Sequence, residues 1–294
     1  ISHSSSVIEQ RVKNVQNELA SLGGFPNFYG HQRFGTIRPI THLVGRFLAK
    51  GKLEKATLVF LAQPSIHEHP ESREARERLQ DTKNFEEAFR CFPRHLGYER
   101  LMLGHLAKQP RDFVGAFRNL PLKLRKLFVQ AYQSFLFNKF LSERIRRGIP
   151  LYEAQTGDYV VRLDDHGLPT TESMQVTASY LQTVKEALKK GKMLVAIPLV
   201  GFKQPPSQGV QGEIEREILE IEKVNPQNFH VSFMPEVSAP GELRTILAPT
   251  IDLSVEEASK DSENLSKRRV RLDFTLHRGS YATVLLREYM KPLD

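Results

Sequence analysis

The spacing of apolar residues changes once along this chain, near Gly148, and that change limits the folds open to it. Ile8, Val12, Val15, Leu19 and Leu22 recur at alternating steps of four and three, one face of a helix. Ser5 or Ser6 can cap that helix, and Gly23-Gly24 stops it, because glycine tolerates the left-handed turn a helix end needs. Gly24 to Gly35 reads as an aromatic loop. A helix starts at Thr41 and ends at Gly51, and helical patterns dominate from there to Gly148. The clearest spans Pro121 to Arg147, with proline in its first turn and Gly148 and Pro150 beyond its end.

After Gly148 the pattern is mixed. Tyr159–Leu163, Met193–Val200 and the stretch around Arg244 to Leu253 read as strands. Gly212–Val224 reads as a helix with Ile214, Ile218, Leu219 and Ile221 on one face. Asp252 to Lys267 is polar and charged, as expected of a long loop. Val270, Leu272, Phe274 and Leu276 alternate with polar residues, the period of a half-buried strand. A turn at Arg278-Gly279 leads to a last helix holding Ala282, Leu285, Leu286 and Tyr289. The expected class is α+β, a mixed α/β chain without internal repeats.

The 294 residues are 40% hydrophobic, enough to bury a sizeable core in one large domain or two ordinary ones. The longest apolar run, Met193 to Gly201, falls far short of the about 20 residues a bilayer needs, so no membrane association is expected. The single cysteine, Cys91, can form no internal disulfide and fits a reducing, cytoplasmic setting. A net charge of +8 favours a polyanionic partner, RNA first among them. Basic clusters at Lys123, Arg125 and Lys126, at Lys139, Arg144, Arg146 and Arg147, and at Lys267, Arg268, Arg269 and Arg271 add to that expectation. No paired cysteines, zincin motif, Walker loop or nucleophile elbow is present, and His67 and His69 lack further ligand spacing. Zincin, NTPase and serine-hydrolase readings therefore have no support. Gly209-Val-Gln-Gly212 reads as a flexible helix entry ahead of a phosphate cradle.

Three segments stand out: Gly23-Gly-Phe-Pro-Asn-Phe-Tyr-Gly-His-Gln-Arg-Phe-Gly35, Phe128-Val-Gln-Ala-Tyr-Gln-Ser-Phe-Leu-Phe-Asn138 and Leu276-His-Arg-Gly-Ser-Tyr-Ala-Thr-Val-Leu-Leu-Arg-Glu288. The first offers Asn27, aromatic rings and Arg33 on a glycine-flanked loop, groups that stack on an unpaired base and bond its edge. A packed aromatic loop with Asn27 stabilising a turn fits equally well. In order, these segments resemble the PNYFG.QRFG, AYQS.LFN and LP.GSYAT.LLRE motifs of the TruD family of tRNA pseudouridine synthases. Pro39-Ile-Thr-His-Leu-Val-Gly-Arg46 and Phe92-Pro-Arg-His-Leu-Gly-Tyr-Glu-Arg100 resemble its archaeal branch.

The resemblance implies an isomerase that converts uridine to pseudouridine in tRNA, typically at position thirteen, without a cofactor or metal. The target nucleotide is flipped from its stack, and an aspartate carries the chemistry. Asn27 and Tyr29, with Phe28, Gln32 and Arg33 beside them, are the implied uridine-binding residues. Arg287 is implied to pair with the catalytic carboxylate. Gln133, Ser134, Asn138 and Arg278 are candidate RNA contacts, the first three with an alternative role in stitching helix to core. His277-Arg278 departs from the family's Leu-Pro at that turn.

The family's catalytic aspartate lies in a segment like GTKD.RA.TTQ ahead of the first motif, and no such segment occurs here. The expectation is a fragment whose catalytic strand precedes Ile1, inactive by itself. By resemblance, residues 1–35 and 250–294 are two parts of an incomplete synthase core with a mixed sheet, and residues 36–249 are the family's insertion domain. On that view Val270 to Leu276 lacks partner strands. A non-catalytic RNA-binding module is the alternative function; a purely structural partner has no feature in its favour.

Overall fold

The computed structural model describes residues 5–264 and 267–291. Helix α1 (Ser5–Leu22) buries Ile8, Val12 and Leu19 as its stripe requires. It ends where Gly23 takes a φ of 77°, a left-handed conformation. The side chains of Ser5 and Ser6, expected to cap it, lie outside the described set. The aromatic loop then begins with a two-residue strand, β1 (Phe25–Pro26), and continues through a 3-10 turn at His31–Arg33.

Seven helices follow in succession: α2 (Thr41–Ala49), α3 (Leu53–Ala62), α4 (Pro70–Thr82), α5 (Phe85–Cys91), α6 (Gly97–Leu106), α7 (Phe113–Arg118) and α8 (Leu122–Arg146). Pro121 sits just before α8 as its N-cap, where a missing N–H costs nothing. Val129, Tyr132, Leu136, Phe137, Phe140 and Leu141 are all buried, so α8 is enclosed around most of its circumference. It is the axis of the helical half. Helix α2 crosses it at Gly45, where an added β-carbon would stand 1.9 Å from the Phe128 carbonyl oxygen. Only glycine permits this approach.

Beyond Gly148 come β2 (Tyr159–Leu163), β3 (Pro169–Gln175), α9 (Leu181–Lys189), β4 (Met193–Leu199), α10 (Gly209–Glu222) and β5 (Glu242–Thr245). The strands form one antiparallel sheet in the order β3-β2-β4-β5. Strand β4 is interior, with Val195, Ala196 and Ile197 all buried, and it packs on α8. Arg144 ties α8 to this sheet. Its Nη1 and Nη2 reach the two Asp158 carboxylate oxygens at 2.9 and 2.8 Å, and Nη1 also reaches Gln211 of α10 at 3.2 Å.

Helix α10 corrects two expectations. Ile214 and Ile218 are buried, but Ile221 is 70% exposed and does not share their face. The glycines at its start are close-packing positions: a β-carbon at Gly209 would meet the Thr156 oxygen at 2.5 Å, and one at Gly212 the Ser207 oxygen at 2.3 Å. That turn is filled by protein backbone.

The final stretch holds β6 (Leu247–Ala248), β7 (Thr250–Val255), β8 (Ser259–Lys260), β9 (Arg268–Arg269), β10 (Leu272–Leu276) and α11 (Ala282–Met290). The expected polar loop therefore contains the end of β7 and a short β8–β9 pairing. Strand β10 does have a partner, contrary to expectation: it pairs antiparallel with β7. Asp252, at a φ of 51°, sits at a register shift opposite Phe274, a bulge in which β7 carries one more residue than β10. Strand β1 pairs with β6, joining the two ends of the chain.

The buried apolar residues fall into two clusters. One runs from Ile40 to Leu247 and is centred on α8. The other gathers Ile8, Val12, Leu19 and Phe25 with Ala248, Val284, Leu285 and Tyr289, from opposite ends of the sequence. Phe28 packs against both. No helix among the described residues is long and apolar enough to cross a membrane.

Two outcomes follow from this packing. Gly45→Ala must force α2 from α8 and should cost about 3 kcal/mol or more, measured by urea unfolding. Glu215 of α10 is buried beside Asp158, and burial pushes its carboxyl from 4.5 up to about 7 against hydrogen bonds from Ser207 and Gln211. The folded state then holds a proton that the unfolded state releases, so stability falls as pH rises from 4.5 through 7. Glu215→Gln keeps an acceptor for the Ser207 N–H and removes this loss. It should be more stable than the parent at pH 8, by up to about 3 kcal/mol, with the difference vanishing near pH 4.

Candidate functional site

After β1 the chain turns tightly at Asn27, with the Phe28 N–H donating to the Pro26 carbonyl at 2.9 Å and the Asn27 N–H to the Ile246 carbonyl at 2.9 Å. Phe28 is half-buried and packs against both apolar clusters. Tyr29 is fixed by α8. Asn138 accepts a hydrogen bond from the Tyr29 N–H at 2.9 Å and donates one to the Tyr29 carbonyl at 3.0 Å. One amide side chain thus brackets the backbone of one residue. The tyrosine ring meets Phe137 edge-on at 5.7 Å and Tyr281 at 5.9 Å.

The side chain lying over Tyr29 came from no motif in the sequence. Arg244, on β5, places its guanidinium 4.0 Å from the Tyr29 ring centre and 5.4 Å from that of Phe137. Its Nη2 donates to Asn27 Oδ1 at 2.6 Å and to the Gly279 carbonyl at 3.0 Å, and its Nε reaches the Asn27 carbonyl at 3.2 Å. Burial lowers its pKa, with the positive charge of Arg33 adding to that, while Tyr29 and Tyr281 oppose it. Asn27 is itself 4% exposed, and its Nδ2 donates to the Thr245 carbonyl at 2.9 Å. Its amide is committed to holding β5 and Arg244.

Arg33 approaches Tyr29 from another direction, 5.6 Å from the ring centre, with its Nε donating to Ser134 Oγ at 3.2 Å. Gln32 accepts from Thr283 Oγ1 at 3.1 Å, tying the loop to the start of α11. Gly30 leaves room for this: a β-carbon there would meet Gln32 Oε1 at 2.6 Å and the Tyr281 ring at 2.8 Å. Three sequence segments distant from one another, and β5 with them, converge on Tyr29.

Gln133 and Ser134 are buried. Gln133 Nε2 donates to the Val200 carbonyl at 2.7 Å, and Ser134 Oγ donates to the Gln130 carbonyl at 2.8 Å. These bonds stitch helix to core, as do Asn138's amide bonds to Tyr29. Arg278 is exposed and borders the same cavity as Asn27 and Arg244. Arg287 is exposed on α11 and forms no hydrogen bond or ion pair with the described residues. Burial raises the pKa of Tyr281.

Much of the positive charge expected to face RNA also has a carboxylate partner within the protein. Arg144 is fully buried on Asp158, Arg146 and Arg147 both bond Glu143, Lys139 bonds Glu222 and Arg125 bonds Glu236. Lys123 and Lys126 carry no carboxylate partner among the described residues.

The family model for tRNA pseudouridine synthase D (TruD) matches residues 1–289. The chain belongs to the TruD family. A Methanosarcina barkeri protein named probable tRNA pseudouridine synthase D is 40% identical over 295 residues, covering 99% of this chain and 66% of that protein. A Methanopyrus kandleri protein of the same name is 41% identical over 282 residues, covering 96% of this chain and 61% of that one. The crystal structure of the Methanosarcina mazei TruD protein superposes with a TM-score of 0.94 at 39% identity, covering 99% of this chain and 67% of that chain. The chain thus spans about two thirds or less of the relatives it matches. Its α+β architecture is that of the TruD family.

The bracket from α8 is testable by itself. Asn138→Ala leaves the Tyr29 N–H and C=O without partners and should cost about 1–3 kcal/mol. Amide exchange at Tyr29 to Phe34 should quicken well before that of the α8 core.

Proposed function

We propose that this chain supplies the uridine-holding walls of a tRNA pseudouridine synthase. The observation that carries the reading is Tyr29, held by Asn138 and covered by Arg244, which forms an aromatic and cationic surface suited to an unstacked base. Asn27 fixes Arg244 and Tyr29 relative to each other, and Arg33, Gln32 and Arg278 edge the site. By resemblance the target is the uridine at position thirteen of tRNA, in the cytoplasm, where a reducing setting suits the free, exposed Cys91.

In this reading the nucleophile is an aspartate outside residues 1–294, in the family's TKD-type segment, and Arg287 faces it. Among the described residues no carboxylate lies within ion-pairing distance of Arg33, Arg244, Arg278 or Arg287, which supports a carboxylate brought from elsewhere. The 294 residues alone then bind RNA without isomerising uridine. The two apolar clusters support the domain division: residues 1–35 and 250–294 as parts of the catalytic core, and residues 36–249 as the insertion domain.

The test combines binding and chemistry. The chain should bind tRNA at low salt, with affinity falling steeply as salt rises, and form no pseudouridine. Joined to the preceding segment of the M. barkeri relative, it should form pseudouridine at position thirteen. Tyr29→Ala should lower that activity by about 10- to 100-fold, the worth of one base–aromatic stack. A joined protein that binds tRNA but never isomerises it would favour the non-catalytic RNA-binding module.

A further inference from the structure

Guanidinium groups in this chain usually find a carboxylate when they leave solvent. Arg76 is paired with Glu68 at 2.9 Å and Glu99 at 2.7 Å, Arg38 with Glu99 at 3.5 Å, and Arg144 with Asp158 at 2.8 Å. Arg244 breaks this pattern. Its Nε and Nη2 go to neutral oxygens of Asn27 and Gly279, the Tyr29 side chain is a further neutral partner, and no described carboxylate reaches it. Arg33 is likewise held by neutral groups, Ser134 and Gln130. A cation half-removed from water without an anion is an unbalanced charge, and its natural complement is an anionic ligand.

Arg244 also divides two spaces. On one side lies the Tyr29 ring. On the other is a cavity of about 430 Å³, bordered by Thr170 and Ser173 of β3, Arg278, Ser280 and the exposed Glu242. Its charged border is two guanidiniums against one carboxylate, and the rest mixes hydroxyl and amide side chains with Val161, Pro169, Leu243 and Pro249. Its one aromatic ring is that of His277. A ribose and a phosphodiester would find hydroxyl partners and two forked cations.

We propose that this cavity is a subsite for the RNA backbone beside the flipped uridine, with Arg244 Nη1 and Arg278 holding one flanking phosphodiester. The inference rests on the uridine-holding role of Tyr29 and adds to it a residue that positions the strand. Because Arg244 touches Tyr29 and Asn27 as well, a bound phosphate fixes the same side chain that covers the base surface. Base and backbone recognition are thereby joined through one guanidinium.

The experiment uses a short single-stranded RNA with one uridine, a fluorescent 2-aminopurine next to it, and single neutral methylphosphonate linkages placed in turn along the strand. The parent chain should lose affinity about tenfold when one linkage beside the uridine is neutral, the loss of one charged hydrogen-bond pair. Arg244→Gln should show that loss with the unmodified RNA and no further loss at that linkage. Arg244→Lys should regain part of the affinity. Arg278→Gln should couple to the same linkage, which keeps the test informative if Arg244→Gln fails to fold.

Equal weakening of all RNAs by Arg244→Gln, or no linkage coupled to either arginine, would overturn the subsite and leave Arg244 serving a protein carboxylate. The fluorescence separates this failure from failure of the uridine reading. A signal that rises on binding and is lost in Tyr29→Ala keeps the uridine reading whatever the linkages show. No signal, or no RNA binding, sinks both.

Discussion

A helix enclosed on most sides gains by pairing the polar side chains it buries, and α8 pairs several, though the buried Tyr132 hydroxyl has no hydrogen-bond partner. Gln133 bonds the Val200 carbonyl just after β4, Asn138 bonds both polar atoms of the Tyr29 backbone, and Arg144 bonds Asp158 ahead of β2. Each of these bonds reaches a different part of the chain. An unpaired buried amide or guanidinium is costly, so each bond has essentially one satisfactory geometry. The polar residues of α8 therefore act as registration points. They hold the sheet, the α10 start and the site loop in fixed relation to one axis.

The same accounting explains how charge is arranged. A protein with a net charge of +8 can hold RNA only with cations that are not already neutralised. Along α8 the arginines are largely consumed by Glu143, Asp158, Glu236 and Glu217. Around Tyr29 they are not, and Arg33, Arg244 and Arg278 meet neutral acceptors or none. Local balance, not the density of lysine and arginine in the sequence, sets the proposed binding face apart. Desolvation makes the point sharper, because burial depresses the pKa of Arg244 and so raises the gain from any anion that reaches it.

How much of this was legible depended on whether the signal was local. The stripe of α1, the long α8, the interior strand β4 and the alternation of β10 all follow from periodicity, and all appear within a residue or two. Strand β3 and helix α9 did not stand out. Strand β3 is an exposed edge whose Thr-Thr-Glu-Ser run has no apolar face, and α9 buries only Val184. The pairing of β10 with β7 depends on a bulge at Asp252 that no spacing rule reveals in a polar stretch. At the site, Asn27, Tyr29 and Arg33 came from a motif. Arg244 lies 211 to 217 residues away, in a stretch that the sequence marks as strand and not as part of any motif. It belongs to the site only because β5 extends the sheet past the loop, and Glu242 and Arg244 share one face of that strand by a period of two.

The two apolar clusters give this convergence its mechanical sense. The smaller is assembled from the first and last parts of the described chain, and the larger from everything between. Tyr29 and Arg244 lie where the two meet: Tyr29 packs on the larger cluster, its neighbour Tyr281 on the smaller, and Phe28 on both. A site at such a seam is held from both sides, so displacement of either cluster would alter the spacing of the aromatic surface and the guanidinium over it. The bracket from Asn138 resists that displacement on one side and the bond from Arg244 to the Gly279 carbonyl on the other. The geometry that would hold a base is therefore set by the junction of the two clusters, and neither cluster contains it alone.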